Sequence, residues 1–152
     1  MSALEEFKDW GLTFHRPEGD QVTLPDDITD VSSEDLGSLF TKLTAWTDYI
    51  ASQLALAQLE ERTALRKKDI LETKLLVQRT GNQVKGERIT ALKAEVSINP
   101  AVLALDNEYE EKYAYRKLVE MLLGNHERDL QLVSREITRR SNDQRATRKE
   151  YF

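Results

Sequence analysis

Apolar residues recur at alternating spacings of three and four along residues 36–75. The members of this first series are Leu36, Phe40, Leu43, Thr47, Ile50, Leu54, Ala57, Glu61, Ala64, Lys68, Leu71 and Leu75. Nine of the twelve are apolar, which is typical of a long helix that packs along a partner helix. Two serines followed by Glu34 and Asp35 supply an N-cap and an acidic first turn. The pattern therefore predicts a helix over residues 33–78, together with a second helix that covers its apolar stripe.

A second series follows Asn99-Pro100, where asparagine suits the N-cap and proline the first helical position. Its members are Val102, Leu105, Tyr109, Lys112, Arg116, Val119, Leu123, His126, Leu130, Val133 and Ile137. Eight of these eleven are apolar, so we expect a helix that ends near Ser141. A glycine-flanked turn over residues 81–86 and a short helix over residues 87–97 separate the two series. The sequence predicts an all-α protein, a long antiparallel helical hairpin with a short bent helix at the turn, which oligomerises.

The first 31 residues have a different pattern and are predicted to form an extended acidic arm. Ser2 and Glu5 have the spacing of a capping box, which predicts a short helix that stops at Gly11. Two prolines and a glycine beyond it favour extended chain. Its apolar residues either pack on the body of the protein or dock on a partner through Phe7, Trp10 and Phe14. The predicted organisation is an arm at 1–31, a hairpin domain at 32–141 and a basic tail at 142–152.

Composition narrows the class of protein. The absence of cysteine excludes disulfide bonds and thiolate zinc sites. No apolar run is long enough for a membrane helix, and the acidic start lacks the basic residues of a signal peptide. We therefore expect a cytoplasmic protein without a membrane partner. The net charge of −5 hides a gradient, because residues 1–35 hold ten acidic and two basic side chains.

Catalytic motifs are weak in this sequence. Gly81 and Gly86 have the spacing that opens a phosphate-binding loop, but Glu87-Arg88 stands where Lys-Ser/Thr is required. Neither His15 nor His126 has a glutamate three residues before it, as di-iron bundles need. A cluster of glutamates at 108–111 is typical of a solvated helix face. The sequence predicts no enzyme, no cofactor, no catalytic residue and no metal ligand.

The charge of residues 62–93 is the strongest functional signal, with nine basic and three acidic side chains. The candidate phosphate-binding residues are Arg66, Lys67, Lys74, Arg79, Lys85, Arg88 and Lys93. Lysine and arginine bind nucleic-acid backbones by neutralising phosphates and releasing counterions. The alternative interpretation is a solvated helix surface with pairs between residues four apart. No aromatic residue lies in this stretch, so base stacking is not predicted there.

The order of these features resembles that of the UvsY-type recombination mediators of tailed phages. The resemblance covers residues 36–140 and is carried by the segment LTAWTDY at 43–49, the basic helix end with its glycine turn, and RITALKAEV at 88–96. It also includes a short break, the segment at 102–106, and a long helix with aromatic residues near its start. The resemblance implies a non-enzymatic, ring-like homo-oligomer that binds single-stranded DNA. Such proteins help to load a RecA-like recombinase onto strands covered by single-strand-binding protein.

The resemblance also implies roles for particular residues. The DNA contacts of the family match Lys74 and Arg79 here, with Lys85 and Arg88 following. The C-terminal helix serves assembly in that family, which implies an oligomerisation role for Val119, Leu123, Leu130, Val133 and Ile137. Two alternatives remain open: a phage structural or scaffolding-type coiled-coil protein with protein contacts only, and an adaptor whose aromatic arm recruits another protein.

Overall fold

The computed structural model describes residues 2–81 and 89–150 and is helical, with no strand among these residues. The elements are α1 (Ala3–Asp9), a 3-10 turn (Ile28–Asp30), α2 (Ser33–Gly81), α3 (Ile89–Ser97) and α4 (Pro100–Glu150). The predicted all-α class is therefore confirmed. The chain separates into two compact units. Unit 1 comprises residues 2–53 and 121–150, and unit 2 comprises residues 54–81 and 89–120.

The two long helices begin at the predicted caps. The Ser32 hydroxyl accepts a hydrogen bond from the Asp35 backbone N–H at 3.1 Å. The Asn99 side chain accepts one from the Ala101 N–H at 2.9 Å. These side chains satisfy N–H groups that have no partner within the first turn of a helix.

The predicted end of the last helix near Ser141 is wrong, because α4 continues to Glu150. Residues 142–150 contain neither glycine nor proline and are rich in good helix formers. Arg139 reaches forward one turn to Asp143 at 2.9 Å, and the Thr147 hydroxyl donates to the Asp143 carbonyl. The described part of the segment predicted as a basic tail therefore forms the last turns of α4.

The core of unit 1 consists of Leu36 and Leu43 from α2 and Val133 from α4, each at most 1% exposed. The partly buried residues packed around them are Val22, Leu24, Val31, Leu39, Phe40, Leu130 and Ile137. Val22, Leu24 and Val31 precede α2, so the second half of the predicted arm packs on the helices. Full burial of one such aliphatic side chain stabilises a fold by about 1.5–3 kcal/mol.

The start of the chain forms a smaller cluster within unit 1. The predicted capping box is confirmed, since Ser2 and Glu5 exchange hydrogen bonds, and Gly11 follows α1 at a φ of +74°. Phe7 and Phe14 stack on each other with ring centroids 4.7 Å apart. Of the three aromatic residues considered for docking, Trp10 is the most exposed, at 72%.

Arg140 of α4 binds the segment that precedes α2 and the first residue of α2. Its guanidinium donates to the backbone carbonyls of Ile28 (3.3 Å) and Thr29 (3.1 Å) and to the Ser33 hydroxyl (3.2 Å). Glu136, one turn earlier and only 7% exposed, accepts from Arg140 at 2.7 Å and from Arg139 at 2.7 Å. Hydrogen bonds from Arg139 and Arg140 lower the pKa of Glu136 to about 2. The carboxylate thus orients the arginine that holds the chain in place.

We expect this site to make the stability of unit 1 sensitive to acid. Because the pKa of Glu136 falls from 4.5 to about 2 on folding, its charge stabilises the folded state above pH 4.5. That stabilisation decreases as the pH falls from 4.5 towards 2. Thermal unfolding across this window should show a smaller loss for Glu136→Gln than for the parent protein. The exposed Glu127→Gln is the matched control, and equal pH profiles for all three proteins would contradict the assignment.

Candidate nucleic-acid interface

Ion pairs between α2 and α4 set the register of unit 2. Lys112 contacts Glu60 at 2.7 Å, and Lys67 contacts Glu108 at 3.5 Å. Residue numbers rise along α2 while those of their partners fall along α4, so the two helix segments run antiparallel in this unit. Ala57 and Ala64 are each 2% exposed at the buried side of α2. Side chains this small allow two helices to approach closely.

The best-shielded ion pair of unit 2 joins Glu61 and Arg116, whose side chains are each 16% exposed. The guanidinium binds the carboxylate through Nε at 2.7 Å and Nη2 at 3.1 Å, and Glu120 accepts a further bond at 2.9 Å. The hydrogen bond from Arg116 lowers the pKa of Glu61, and the same bond raises the pKa of Arg116. This two-point contact fixes the register more specifically than a single-atom pair does.

The predicted phosphate-binding residues divide into three groups. Lys67 is paired with Glu108, and Arg79 is paired with Glu95 of α3. Lys85 and Arg88 lie outside the described residues. Arg66, Lys74 and Lys93 are exposed, and none of them has an acidic partner within 4.0 Å in the described parts of the chain.

The Arg79–Glu95 contact brings α3 beside the last turns of α2. Lys93 precedes Glu95 by two residues, so it belongs to the same end of unit 2 as Arg79. Leu92 and Val96 are buried at 4% and 2%, and they anchor α3 while Lys93 remains exposed. The structure therefore places Arg79 and Lys93 on two helices at the same end of unit 2, and Lys74 lies less than two turns before Arg79 on α2.

The ion-paired lysine is also accessible to a polyanion. The side chain of Lys67 is 56% exposed and that of Glu108 is 40% exposed. Exposed ion pairs contribute about 0–1 kcal/mol, so a phosphate can replace the carboxylate at little cost. Lys68 is more sheltered, at 22%, and its contact with Asp106 at 2.5 Å raises its pKa through hydrogen bonding.

Sequence reasoning missed one side of α2. Arg62 is exposed, as are the apolar residues Leu59 (48%), Ile70 (45%) and Val77 (65%). Together with Arg66 they recur at spacings of three, four and seven residues on the side opposite the buried alanines. This weaker series is visible in the sequence, because its apolar members recur on one side of the helix that the stronger apolar stripe predicts.

The residues predicted to support oligomerisation have partners inside the chain. Val133 is fully buried, and Leu130 and Ile137 pack against the unit 1 core. Val119 is 8% exposed and Leu123 is half-buried. Their role in assembly stays a prediction, and the large apolar side chains that unit 2 exposes on α4 are Leu103, Tyr113, Tyr115 and Leu118.

His126 lies in the interior of unit 1, with both of its ring nitrogens near polar atoms. His126 is 3% exposed, its Nε2 lies 3.2 Å from the Gln21 amide and its Nδ1 lies 3.1 Å from the Leu122 carbonyl. No group of three potential metal ligands occurs among residues 2–81 and 89–150. The described helices also contain no stretch apolar enough to cross a membrane.

Comparison with known protein families, with curated proteins and with solved structures found no match to this chain.

Proposed function

We propose that this protein is a phage-type recombination mediator that binds single-stranded DNA through the basic end of unit 2, the end that carries Lys74, Arg79 and Lys93. The observation that carries the proposal is the exposure of Lys74 and Lys93 without acidic partners among the described residues. The UvsY-like order of features over residues 36–140, which includes a basic helix end, also supports it. The protein then helps to load a RecA-like recombinase onto strands covered by single-strand-binding protein.

The proposed architecture is a long antiparallel helical hairpin that self-associates, with an acidic segment before it. The antiparallel ion pairs of unit 2, such as Lys112–Glu60, support the hairpin. Two consecutive long helices separated by one short helix also favour it. Self-association brings several basic ends to one DNA strand, which raises the effective affinity without any new contact.

The proposed contact depends on charge and is independent of base sequence. Each phosphate that a lysine or arginine neutralises on a single strand adds about 0.7 to the slope of log affinity against log salt concentration. A mediator must also release its strand to the recombinase. The exposed Lys67–Glu108 pair suits such a transfer, because Glu108 re-pairs with Lys67 when the phosphate leaves.

The test is fluorescence polarisation with labelled single-stranded and double-stranded oligonucleotides over a salt series. We expect preference for the single strand and a steep loss of affinity between about 50 and 200 mM salt. Stimulation of recombinase loading on strands coated with single-strand-binding protein would support the mediator role. Absence of binding at the lowest salt concentration would contradict the proposal.

The second candidate is a phage structural or scaffolding-type coiled-coil protein with protein contacts only. The observation that favours it is the exposure of Leu59, Ile70, Leu103 and Leu118 on the long helices of unit 2. Such a protein would form oligomers in solution and leave the polarisation of every oligonucleotide unchanged. The same titration, combined with sedimentation, therefore separates the two candidates.

A further inference from the structure

The side of α2 that points away from the buried alanines of unit 2 is both basic and apolar. We call Leu59, Arg62, Arg66 and Ile70 the basic outer face. Their spacings of three and four residues place them on one side of the helix. Leu59 and Ile70 are 48% and 45% exposed, and Arg62 has no acidic partner within 4.0 Å in the described parts of the chain.

The side of α4 that points away from Arg116 and Val119 has the opposite charge. We call Leu103, Glu110, Glu111, Ala114 and Leu118 the acidic outer face. Leu103 and Leu118 are 45% and 61% exposed, and both glutamates are exposed. Neither glutamate forms an ion pair with any described residue.

The two outer faces lie at matching heights along unit 2. The ion pairs Lys112–Glu60 and Lys67–Glu108 show which turns of α2 and α4 are level with each other. By the same register Arg62 is level with Glu111, and Ile70 is level with Leu103, to within about two residues or roughly 3 Å. The apolar and charged positions of one face thus have counterparts at the same heights on the other.

We propose that the basic outer face of one copy packs against the acidic outer face of a second copy, side by side and in the same direction. Arg62 then lies beside Glu111 of the second copy, and Ile70 packs against Leu103 of the second copy. A second copy is the occupant because this chain itself carries both complementary faces in matching register. The inference deepens the self-association in the proposed function and rests on it.

This contact is heterologous, since it joins two different faces, and a pair of copies keeps one unused face of each kind. Heterologous contacts form rings when the rotation between copies closes and open rows when it does not. The matching heights keep the shift along the helix axes between neighbouring copies to roughly 3 Å, and the rotation between copies then decides whether the row closes into a ring. Arg66 lies within the basic outer face, so in the assembly it contacts the second copy and leaves phosphate binding to Lys74 and Lys93.

Charge reversal tests this interface. Arg62→Glu and Glu111→Arg should each lower the sedimentation coefficient at micromolar concentration and low salt, with unchanged helicity. An equimolar mixture of the two variants should recover the parent value, because the two substituted positions face each other at one contact and the two native residues meet at the next. The exposed Arg135→Glu and Glu127→Arg are matched controls in unit 1 and should sediment like the parent.

Cysteine cross-linking gives a second measurement. Because the chain has no native cysteine, every disulfide must involve an introduced residue. A mixture of Ile70→Cys with Leu103→Cys should give covalent dimers on oxidation, and a chain with both substitutions should give a ladder of larger products. Each single variant alone should stay monomeric on a denaturing gel. Efficient dimers of Ile70→Cys alone would overturn the heterologous contact, because they require the same face on both copies.

The failure of this interface is distinguishable from the failure of the proposed function. If the parent is oligomeric and both charge-reversal variants sediment like it, the interface is overturned and the proposed mediator activity is unaffected. A monomeric parent that binds single-stranded DNA would overturn self-association, and this interface with it, but not DNA binding. If the single variants sediment more slowly, their mixture recovers the parent value and the parent does not bind DNA, the interface is supported and the scaffolding alternative is favoured.

Discussion

Replacement of Leu43 by alanine is expected to lower the free energy of unfolding by about 2–5 kcal/mol. Leu43 is fully buried between Leu36 and Val133, so its truncation removes apolar contact and leaves a cavity in the core of unit 1. The surrounding side chains belong to the two long helices and to the segment 22–31, and they relax only partly around the gap. Chemical denaturation monitored by helical circular dichroism measures the difference.

The matched control is Leu59→Ala in α2, where the same side chain is 48% exposed. At protein concentrations too low for self-association, we expect Leu59→Ala to change the free energy of unfolding by no more than about 0.5 kcal/mol, since little apolar area is lost. Similar destabilisation by the two substitutions would contradict the placement of the unit 1 core. A loss confined to Leu43→Ala would confirm that this turn of α2 faces inward.

Combined replacement of Lys74 and Lys93 by alanine is expected to weaken single-stranded DNA binding roughly 50-fold at about 50 mM salt. Each lost phosphate contact removes about 0.7 from the salt slope, and this slope acts over more than one decade of salt concentration between about 50 mM and 1 M. Both lysines are exposed and form no ion pair with a described residue, so the fold should remain intact. Polarisation titrations at several salt concentrations measure affinity and slope together.

Lys42→Ala combined with Arg135→Ala is the control, because it removes two exposed cations from unit 1. This control should keep the parent salt slope and lose little affinity. If the two double variants bound equally well, DNA would be held by general charge or by other residues, and the basic end of unit 2 would not be the site. The sedimentation of the Lys74 and Lys93 variant should match the parent, which separates DNA binding from assembly.

The buried faces of both long helices were predictable from the sequence. Every member of the two series, from Leu36 to Leu75 and from Val102 to Ile137, is buried or half-buried in the structure. The prediction includes polar members such as Glu61 and Arg116, which interrupt the apolar stripes and pair with each other. The period of a helix fixes which positions share a side, so a stripe is visible without knowledge of its partner.

The candidate site was less predictable. Charge alone marked Lys67 and Arg79 as phosphate ligands, but both have carboxylate partners, in Glu108 and Glu95. Residues 41 and 16 positions apart in the chain form these pairs. A count of charges along the sequence cannot include such contacts, because they depend on which turn of one helix lies beside which turn of another. For the same reason the outer faces of α2 and α4 had no apparent relation before their register was known.

The sequence by itself determined that this is an all-α protein with two long helices. It also determined the residues that cap these helices and the side of each helix that is buried. These properties are local, since caps and stripes involve residues within a few positions of one another. Only the tertiary structure decided that residues 22–31 pack on the unit 1 core, that Arg140 fastens them, and that Lys74 and Lys93 form no ion pair with a described residue. Those outcomes depend on the antiparallel register and on contacts across the chain, which a periodic pattern does not encode.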